Sequence, residues 1–343
     1  MSGEHRSACL VTNGITLAYD SFGDEGAETI LLIAGLGTQM IRWTAPFCRE
    51  LVTRGYRVVR FDNRDTGRST HFTEHGAMDF AALTSALAEG RRPELTYTLD
   101  DMASDALGLL DALSIPRAHV VGRSMGGMIA QIMASEHPSR VLSLTAIMSS
   151  TGNPGLPRAA PDAIEMMMRP VPDPVLDDAG FLDHGVAFAC RIAGTAHPFD
   201  EGTCRALLQE EVRRGRAPGG FGRQVAAVGV AGDRRSRLAA ITAPTLVIHG
   251  TDDPLFPPAC GEDTAASIPD AEMTLIAGMG HDLPPSLHLA IADAIERTAR
   301  RSTISASGGQ KGTVPRVRAT AFEEQPRHSY DVVGSKADSA QSA

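Results

Sequence analysis

The sequence predicts an α/β protein with a doubly wound, mostly parallel sheet and an inserted helical cap. Short apolar runs that stop at glycines alternate with segments of helical periodicity, as in sheets covered by helices on both faces. Between residues 152 and 240 the alternation stops, and the apolar runs there have helical spacing alone. We therefore expect a core over 1–151 and 241–301, a helical cap or lid over 152–240, and a disordered polar tail over 302–343.

Each expected element has a local signal in the sequence. Residues 8–23 predict a hairpin, because Asn13-Gly14 is a turn signal between alternating flanks. The apolar run at 29–37 and the run from Tyr56 are typical of strands buried on both faces. The remaining expected elements are helices over 41–54, 98–113, 125–137, 258–268 and 285–301, and strands over 118–124, 141–150, 244–250 and 272–278.

Composition and charge limit the classes of function. The 343 residues are 43% hydrophobic and carry a formal net charge of −9, which gives no electrostatic support for general nucleic-acid binding. No stretch approaches the roughly 18 apolar residues of a membrane helix, and the N-terminus lacks the apolar run of a signal peptide. The five cysteines are scattered without a C-x-x-C spacing, which favours a reducing compartment. We expect a cytoplasmic protein with no nucleic-acid or membrane partner.

One motif suggests chemistry directly, the G-x-S-x-G from Gly122 to Gly126 with Ser124 at its centre. It closes a predicted strand and opens a predicted helix, which is the setting of a nucleophile elbow. The sharp turn exposes the serine hydroxyl, and the two glycines let backbone segments approach where a Cβ would collide. The N-terminus of the following helix supplies free N–H groups near developing negative charge. We predict that Ser124 is a nucleophile.

A serine hydroxyl needs a base, and His281 is the candidate. It lies after the last predicted strand in the Gly-rich segment 278–282, ahead of the final helix. The other histidines fit less well, because they lie in expected tails, within or beside elements, or in the insertion; His249, for example, is inside a strand. The alternative interpretation of His281 is a loop histidine that caps the last helix.

The base in turn needs an acid that fixes its tautomer and stabilises the imidazolium. Asp252 and Asp253 both follow the strand over 244–250. A second candidate position, after the strand that ends near Ser150, holds residues 149–153 and has no carboxylate. The residues alone therefore point to the 252–253 pair and leave both members open.

An oxyanion requires two backbone donors. The N–H of Met125, directly after the nucleophile, is one candidate. The loop 35–37 after the strand over 29–37 offers the other, and we predict Leu36. Such chemistry needs no metal and no organic cofactor, so none is expected.

These residues resemble the α/β-hydrolase superfamily over about 8–300. The order Ser…Asp…His is that of the α/β-hydrolase fold, and its acid usually takes the fourth position of a G-x-x-D turn, which implies Asp253 with Asp252 as runner-up. The blocks at 60–70, 118–127 and 278–288 resemble the anthracycline (aclacinomycin) methylesterase group. The resemblance implies a carboxylic ester hydrolase that forms an acyl-enzyme on Ser124. It suggests a methyl ester of a bulky polycyclic acid, although the insertion does not follow that group.

Polar residues in the first of these blocks are expected to be structural. Asp62, Arg64, Asp65 and Arg68 should form a network that holds the loop after its strand. A catalytic role is the less favoured interpretation.

The expected partner is a small-molecule ester, apolar or bulky. Met167, in a run of three methionines, and Trp43 are candidates for the substrate pocket. Burial against the core is an equal interpretation of Met167 and the favoured interpretation of Trp43. The same triad supports thioester, lactone, amide or carbon–carbon hydrolysis, perhydrolysis and cyanohydrin cleavage. A ligand-binding relative without activity is the alternative from another class. The sequence also leaves a homodimer open.

Overall fold

A computed structural model describes residues 5–91 and 93–306 of the chain. Its centre is an eight-stranded sheet in the order β1-β2-β4-β3-β5-β6-β7-β8. The strands are β1 (Arg6–Thr12), β2 (Ile15–Phe22), β3 (Thr29–Ile33), β4 (Arg57–Phe61), β5 (Ala118–Arg123), β6 (Val141–Ile147), β7 (Thr245–Gly250) and β8 (Glu272–Ile276). The hairpin β1–β2 and the β2–β4 pair are antiparallel, and every other pairing is parallel.

The helices follow the strands as the predicted alternation requires. Those of the core are α1 (Ala45–Thr53), α2 (Phe80–Ala88), α3 (Leu99–Ala112), α4 (Met125–Glu136), α10 (Pro258–Ser267) and α11 (His288–Ala306). Between β6 and β7 the structure contains α5 (Pro161–Met168), α6 (Asp178–Ile192), α7 (Glu201–Arg214), α8 (Gly220–Ala231) and the short α9 (Arg235–Leu238). We call residues 148–244 the insertion.

Two apolar clusters cover opposite faces of the sheet, because successive strand side chains point to opposite sides. On β3, Leu31 and Ile33 join the cluster with α3 and α4, whereas Ile30 and Leu32 join the cluster with α1 and α11. All of these strand positions are completely buried. The sheet is thus covered on both faces, which accounts for the continuous apolar runs in the sequence.

The insertion has a small apolar core of its own and is also fastened to the sheet domain. Its own cluster joins α6 and α7 through Phe181, Leu182, Val186, Cys204 and Leu208. Helix α8 instead packs Ala227 into the large cluster of the sheet domain. Polar side chains add further ties, including a bidentate ion pair of Arg42 with Glu211 at 2.7 Å.

Two expectations about element boundaries need correction. The helix expected over 285–301 begins at His288, after a 3₁₀ turn, and continues to Ala306, so the tail expected from Ser302 is wrong for 302–306. No glycine or proline interrupts the chain before Gly308, so nothing in the sequence stops the helix at Arg301. The rest of that expected tail, 307–343, lies outside the described residues. Helix α2 was not predicted at all, although Asp79 is a clear N-cap for it.

Within the described ranges, no helix is both long and apolar enough to cross a lipid bilayer.

Candidate active site

Ser124 occupies the turn between β5 and α4 in a strained backbone conformation. Its φ is +54° and its ψ −124°, a combination that residues with a Cβ rarely adopt. Its N–H donates to the carbonyl of Ile147 at 2.9 Å, and its carbonyl accepts from Gly127 N at 2.9 Å. The turn therefore sits at the carboxyl edge of the sheet, where the strained serine is held from β6 and from the first turn of α4.

The two glycines of the motif are required by close backbone contacts. A Cβ at Gly122 would lie 2.1 Å from the carbonyl oxygen of Gly126. A Cβ at Gly126 would lie 2.2 Å from the carbonyl oxygen of Ile33, at the end of β3. Because both neighbours are backbone atoms, they cannot rotate away, and only glycine fits at either position.

His281 and Asp253 are brought into direct contact by the loops after β8 and β7. The Nδ1–H of His281 donates to Oδ2 of Asp253 at 2.7 Å, and both residues are buried. The backbone N–H of His281 donates to the carbonyl of Ile192 at 2.7 Å, so the insertion also holds this loop. The bond at Nδ1 leaves Nε2 as the ring nitrogen that is free to accept a proton.

Asp253 is a well-supported carboxylate. Its Oδ1 accepts from the N–H groups of Leu255 and Phe256, each at 2.9 Å. Burial alone would raise the pKa of Asp253, but the charge and hydrogen bond of His281, with further help from His249 and the Phe256 N–H, hold the pKa below its usual value. Asp253 is therefore ionised at neutral pH and oriented towards the imidazole.

The neighbouring Asp252 lies in a different environment. It is half-buried, and its carboxylate accepts from the hydroxyls of Thr195 and Thr251. These two hydrogen bonds lower the pKa of Asp252, with the Thr195 hydroxyl the larger cause. Of the two candidate acids, the structure thus places Asp253 against His281 and Asp252 against the insertion.

The alternative acid position after β6 supports the turn instead. Ser149 donates its hydroxyl proton to the carbonyl of Ser124 at 2.9 Å. It also packs closely on the motif helix, because a Cβ at Gly127 would lie 2.6 Å from the Cβ of Ser149. A polar residue without charge at this position fastens the strained turn.

The backbone donors expected for an oxyanion are free. Neither the N–H of Leu36 nor that of Met125 makes a hydrogen bond among the described residues. The loop that carries Leu36 lies against the serine, since a Cβ at Gly35 would be 3.3 Å from the Cβ of Ser124. In contrast, the N–H of Gly37 is occupied by the side chain of Gln224 at 2.7 Å. The hydroxyl of Ser124 itself is not hydrogen-bonded to the His281 ring in the described chain.

Three groups near the site were not singled out from the sequence. His249 is completely buried, and its Nε2–H donates to the carbonyl of Phe256 at 2.7 Å and lies 3.5 Å from Oδ2 of Asp253. The ring of Phe256 packs edge-on against His281 at 5.6 Å. Gln224 contributes from the insertion. The available sequence signal for His249 is its place four residues before Asp253, near the end of the strand that precedes the acid loop.

Of the two residues expected to line the substrate pocket, Trp43 lies in the core and Met167 is only partly exposed. Trp43 is completely buried and stacks on Phe47 at 5.5 Å between ring centroids, so core packing describes its position. Met167 is half-buried on α5. Two surface cavities of about 320 and 490 Å³ border α2 and α8, and none of Ser124, Asp253 and His281 lines them.

The structure contains the polar network expected after β4, except for the side chain of Arg68. Asp62 accepts from the N–H groups of Met40 and Arg68. Arg64 forms a bidentate pair with Asp105 at 2.6 and 2.7 Å. Asp65 forms a bidentate pair with Arg223 of the insertion at 2.7 and 2.8 Å. The expectation for Arg68 needs correction, since its side chain is exposed and only its backbone takes part.

The fold and the strained serine define a hydrolase of the α/β type. A family described as alpha/beta hydrolase fold matches residues 28–177. The chain is 32% identical over 328 residues to the rhodomycin D methylesterase DauP of Streptomyces sp. (strain C5), covering 86% of this chain and 98% of that protein. The chain belongs to the α/β-hydrolase family.

Further relatives place the chain among several hydrolases of this family. A 2-hydroxy-6-oxononadienedioate/2-hydroxy-6-oxononatrienedioate hydrolase of Paraburkholderia xenovorans (strain LB400) is 30% identical, over 78% of this chain and 84% of its own. The crystal structure of the enol-lactonase from Burkholderia xenovorans LB400 superposes with a TM-score of 0.60 at 23% identity, over 87% of this chain and 100% of its own. The predictions of the fold class, of the family resemblance and of an enzyme of the carboxylic ester hydrolase class are confirmed.

Proposed function

We propose that the protein cleaves a carboxylic ester through an acyl-enzyme on Ser124, with His281 as base and Asp253 as the acid that orients it. One observation carries the proposal: the 2.7 Å bond from His281 to a buried Asp253, at the same carboxyl edge of the sheet as a serine held in a strained strand-to-helix turn. An ionised carboxylate on Nδ1 fixes the tautomer in which Nε2 can take a proton. The free amides of Leu36 and Met125 are the proposed oxyanion donors.

In the first step the oxygen of Ser124 attacks the ester carbonyl carbon while Nε2 of His281 takes the hydroxyl proton. The carbonyl π electrons move to oxygen, and the two amides stabilise this oxyanion. When the carbonyl re-forms, the bond to the alcohol oxygen breaks. His281 gives its proton to the departing alkoxide, which leaves as the alcohol.

In the second step a water molecule takes the place of the alcohol. His281 removes one proton from this water as its oxygen attacks the acyl carbon, and the same two amides stabilise the second oxyanion. The bond to Ser124 then breaks, and the serine oxygen recovers the proton from His281. The product is the free carboxylic acid, and the steps use only groups of this chain and water.

The substrate proposed is a methyl or other small-alcohol ester of a bulky, largely apolar acid. Support comes from the relatives named as rhodomycin D methylesterases in Streptomyces sp. (strain C5) and Streptomyces peucetius. A small alcohol needs little room beside His281, whereas a large acyl group must be accommodated between the sheet domain and the insertion. Hydrolysis of a carbon–carbon bond or a lactone on the same triad is the competing outcome of a substrate screen.

We assign residues 152–240 the role of a lid on this site. The segment after α6 packs on the histidine loop, since a Cβ at Gly194 would lie 1.9 Å from the carbonyl oxygen of Gly278. Helix α8 places the ring of Phe221 over Gly37, 2.8 Å from where a Cβ would be. The insertion thus contacts both the loop of the proposed base and the loop of a proposed oxyanion donor.

A labelling experiment tests the proposal. Wild-type protein is treated with a fluorophosphonate probe, and hydrolysis of p-nitrophenyl acyl esters is measured in parallel with the Ser124→Ala and His281→Ala variants. Ser135→Ala, on α4, is the matched control. We expect the label on Ser124, loss of both signals in Ser124→Ala, and retention of both in the control. A folded wild-type protein that takes no label, or a Ser124→Ala variant that keeps most of its activity, would overturn the proposal.

A further inference from the structure

Gln224 joins the insertion to two loops of the sheet domain through its side-chain amide. It lies on α8 and is completely buried. Its Oε1 accepts from the N–H of Gly37 at 2.7 Å, and its Nε2 donates to the carbonyl of Arg64 at 2.8 Å. A buried amide that satisfies a donor on one loop and an acceptor on another fixes the separation of the two loops.

The bond to Gly37 engages the amide that follows the Leu36 N–H in the 35–38 loop. Gly37 has a φ of +64°, a conformation that glycine adopts without strain but that does not by itself hold the loop. The loop is closed on its other side, where the N–H and hydroxyl of Thr38 donate to the carbonyl of Gly35 at 3.3 and 3.0 Å. With the N–H of Gly37 committed to Gln224, the N–H of Leu36 stays available beside Ser124.

We infer that Gln224 is a positioning residue for the oxyanion hole. It holds the 35–37 loop so that the Leu36 N–H is in place before substrate arrives, and it does so from the insertion. This inference rests on the proposed function, because it requires an oxyanion on the Ser124 adduct. Preorganised donors are effective since they need no rearrangement when charge develops, and a small displacement of a positioned group can cost about 10²-fold in rate.

Gln39 provides a matched comparison for simple anchoring of the insertion. It is also a buried glutamine with a satisfied amide. Its Nε2 donates to the carbonyls of Glu211 and Gly215, each at 2.8 Å, and its Oε1 accepts from Arg214 at 2.8 Å. Both glutamines tie the insertion to the sheet domain, but only Gln224 bonds to an amide of the 35–37 loop.

The experiment compares Gln224→Met with Gln39→Met in the full-length protein. Steady-state hydrolysis of a p-nitrophenyl ester gives kcat and KM. An alkyl trifluoromethyl ketone, which forms an oxyanionic hemiketal on the nucleophile, gives an inhibition constant, and the carboxylic acid product serves as an inhibitor without an oxyanion. For Gln224→Met we expect kcat to fall roughly 10- to 100-fold. The inhibition constant of the ketone should rise by a similar factor, while KM and the inhibition constant of the product should change little.

Gln39→Met should lower the melting temperature, but it should change the inhibition constants of the ketone and of the product to the same small extent. Gln224→Glu keeps an acceptor for the Gly37 N–H and loses only the donor to Arg64, so it should retain more kcat than Gln224→Met. If the Met variant does not fold, the Glu variant is compared with Gln39→Met by the ratio of the inhibition constants of the ketone and the product.

The inference is overturned if Gln224→Met keeps wild-type kcat and ketone affinity, or if Gln39→Met shows the same selective rise in the inhibition constant of the ketone. It is also overturned if Gln224→Glu loses as much kcat as Gln224→Met. Where only the Glu variant folds, the inference is overturned if the affinity of that variant for the ketone, relative to its affinity for the product, falls by roughly 10-fold or more, because this variant keeps the acceptor for the Gly37 N–H. These failures are distinct from failure of the proposed function, since Ser124 would then still take the fluorophosphonate label in the wild-type protein.

Discussion

Two adjacent aspartates at the end of β7 show how surroundings assign different tasks to identical side chains. Asp253 is 4% exposed and bonded to His281 and to two backbone N–H groups. Asp252 is half-buried and bonded to threonine hydroxyls. The first is a fixed negative charge next to an imidazole, and the second is a surface tie to the insertion.

We expect Asp253→Asn to lower kcat by about 10³- to 10⁴-fold, because an amide on Nδ1 no longer selects the reactive tautomer or stabilises the imidazolium. Asp252→Asn is the matched control and should change kcat by less than about threefold, since its carboxylate makes no contact with His281. Ester hydrolysis by both variants decides between the two carboxylates. Equal losses would contradict the assignment of the acid.

The glycines of the turn permit a test of stability. Gly126→Ala should lower the free energy of unfolding by more than about 3 kcal/mol, because the new Cβ would meet the backbone oxygen of Ile33. Gly229→Ala, in α8, has nothing within 4 Å of its Cβ and should be neutral or stabilising by up to about 1 kcal/mol. Urea unfolding measures both, and a Gly126→Ala variant of wild-type stability would argue against the close approach of β3.

At the scale of elements, the insertion is attached to the sheet domain by buried charges. Arg223 of α8 forms its bidentate pair with Asp65, and the side chains are 1% and 0% exposed. Tyr97 donates its hydroxyl proton to the same carboxylate at 2.7 Å. Burial alone would raise the pKa of Asp65, but hydrogen bonds from Arg223 and Tyr97 hold it below its usual value. The insertion thus supplies, through Arg223, the first of the partners that keep this carboxylate charged.

Arg223→Met should destabilise the protein by about 3–5 kcal/mol at pH 7, since it leaves a buried carboxylate without its cation. Asp65 has a lowered pKa when folded, so its contribution is present above about pH 4 and is lost as the pH falls through the folded value. In the variant, burial is no longer offset by Arg223 and should raise the pKa of Asp65, so the carboxyl binds a proton more readily and the deficit should shrink as the pH falls from 7 to 4.

Arg205 is the control for this effect, because its pair with Asp183 is exposed. Arg205→Met should change the free energy of unfolding much less than Arg223→Met does, because solvent screens the exposed pair. Unfolding free energies of both variants at several pH values test the prediction. A deficit for Arg223→Met that does not vary with pH would show that Asp65 does not titrate as described.

At this scale, the sequence could predict the features that depend on neighbouring residues, and not those that depend on contacts between distant segments. Strands β3, β5 and β7 and the turn at Ser124 depend on apolar runs and glycines within a few neighbouring residues, so periodicity found them. The contacts of Gln224 with Gly37 and of Arg223 with Asp65 join segments far apart in the chain and leave no local pattern. Helix α2 was not predicted, because its short segment is apolar without a marked helical face. The N-cap at Asp79 is the local signal for its start.

For the whole molecule, the structure predicts that sheet domain and insertion unfold together. The two are joined by buried ion pairs and by the packing of α8 on the main apolar cluster. Trp43 is the only tryptophan and lies in the core beside α1, so its fluorescence reports on the sheet domain alone. Far-UV circular dichroism reports on all helices, including those of the insertion.

We expect the two signals to give coincident urea transitions, as for a single cooperative unit. The Arg223→Met variant tests the cause, because weaker ties should separate the transitions, with loss of helical signal preceding the change in fluorescence. A wild-type protein that loses part of its helical signal first would contradict the single-unit prediction.

The strand order also determines when during synthesis the proposed active site can become complete. The ribosome delivers Ser124 with the first half of the sheet, whereas β7 and β8 emerge only after the whole insertion. These two strands add to one edge of the sheet, and the loops that follow them bring Asp253 and His281. A nascent chain therefore displays the serine long before it contains His281, the proposed base, and any premature stop ahead of β8 yields a fragment that lacks this histidine.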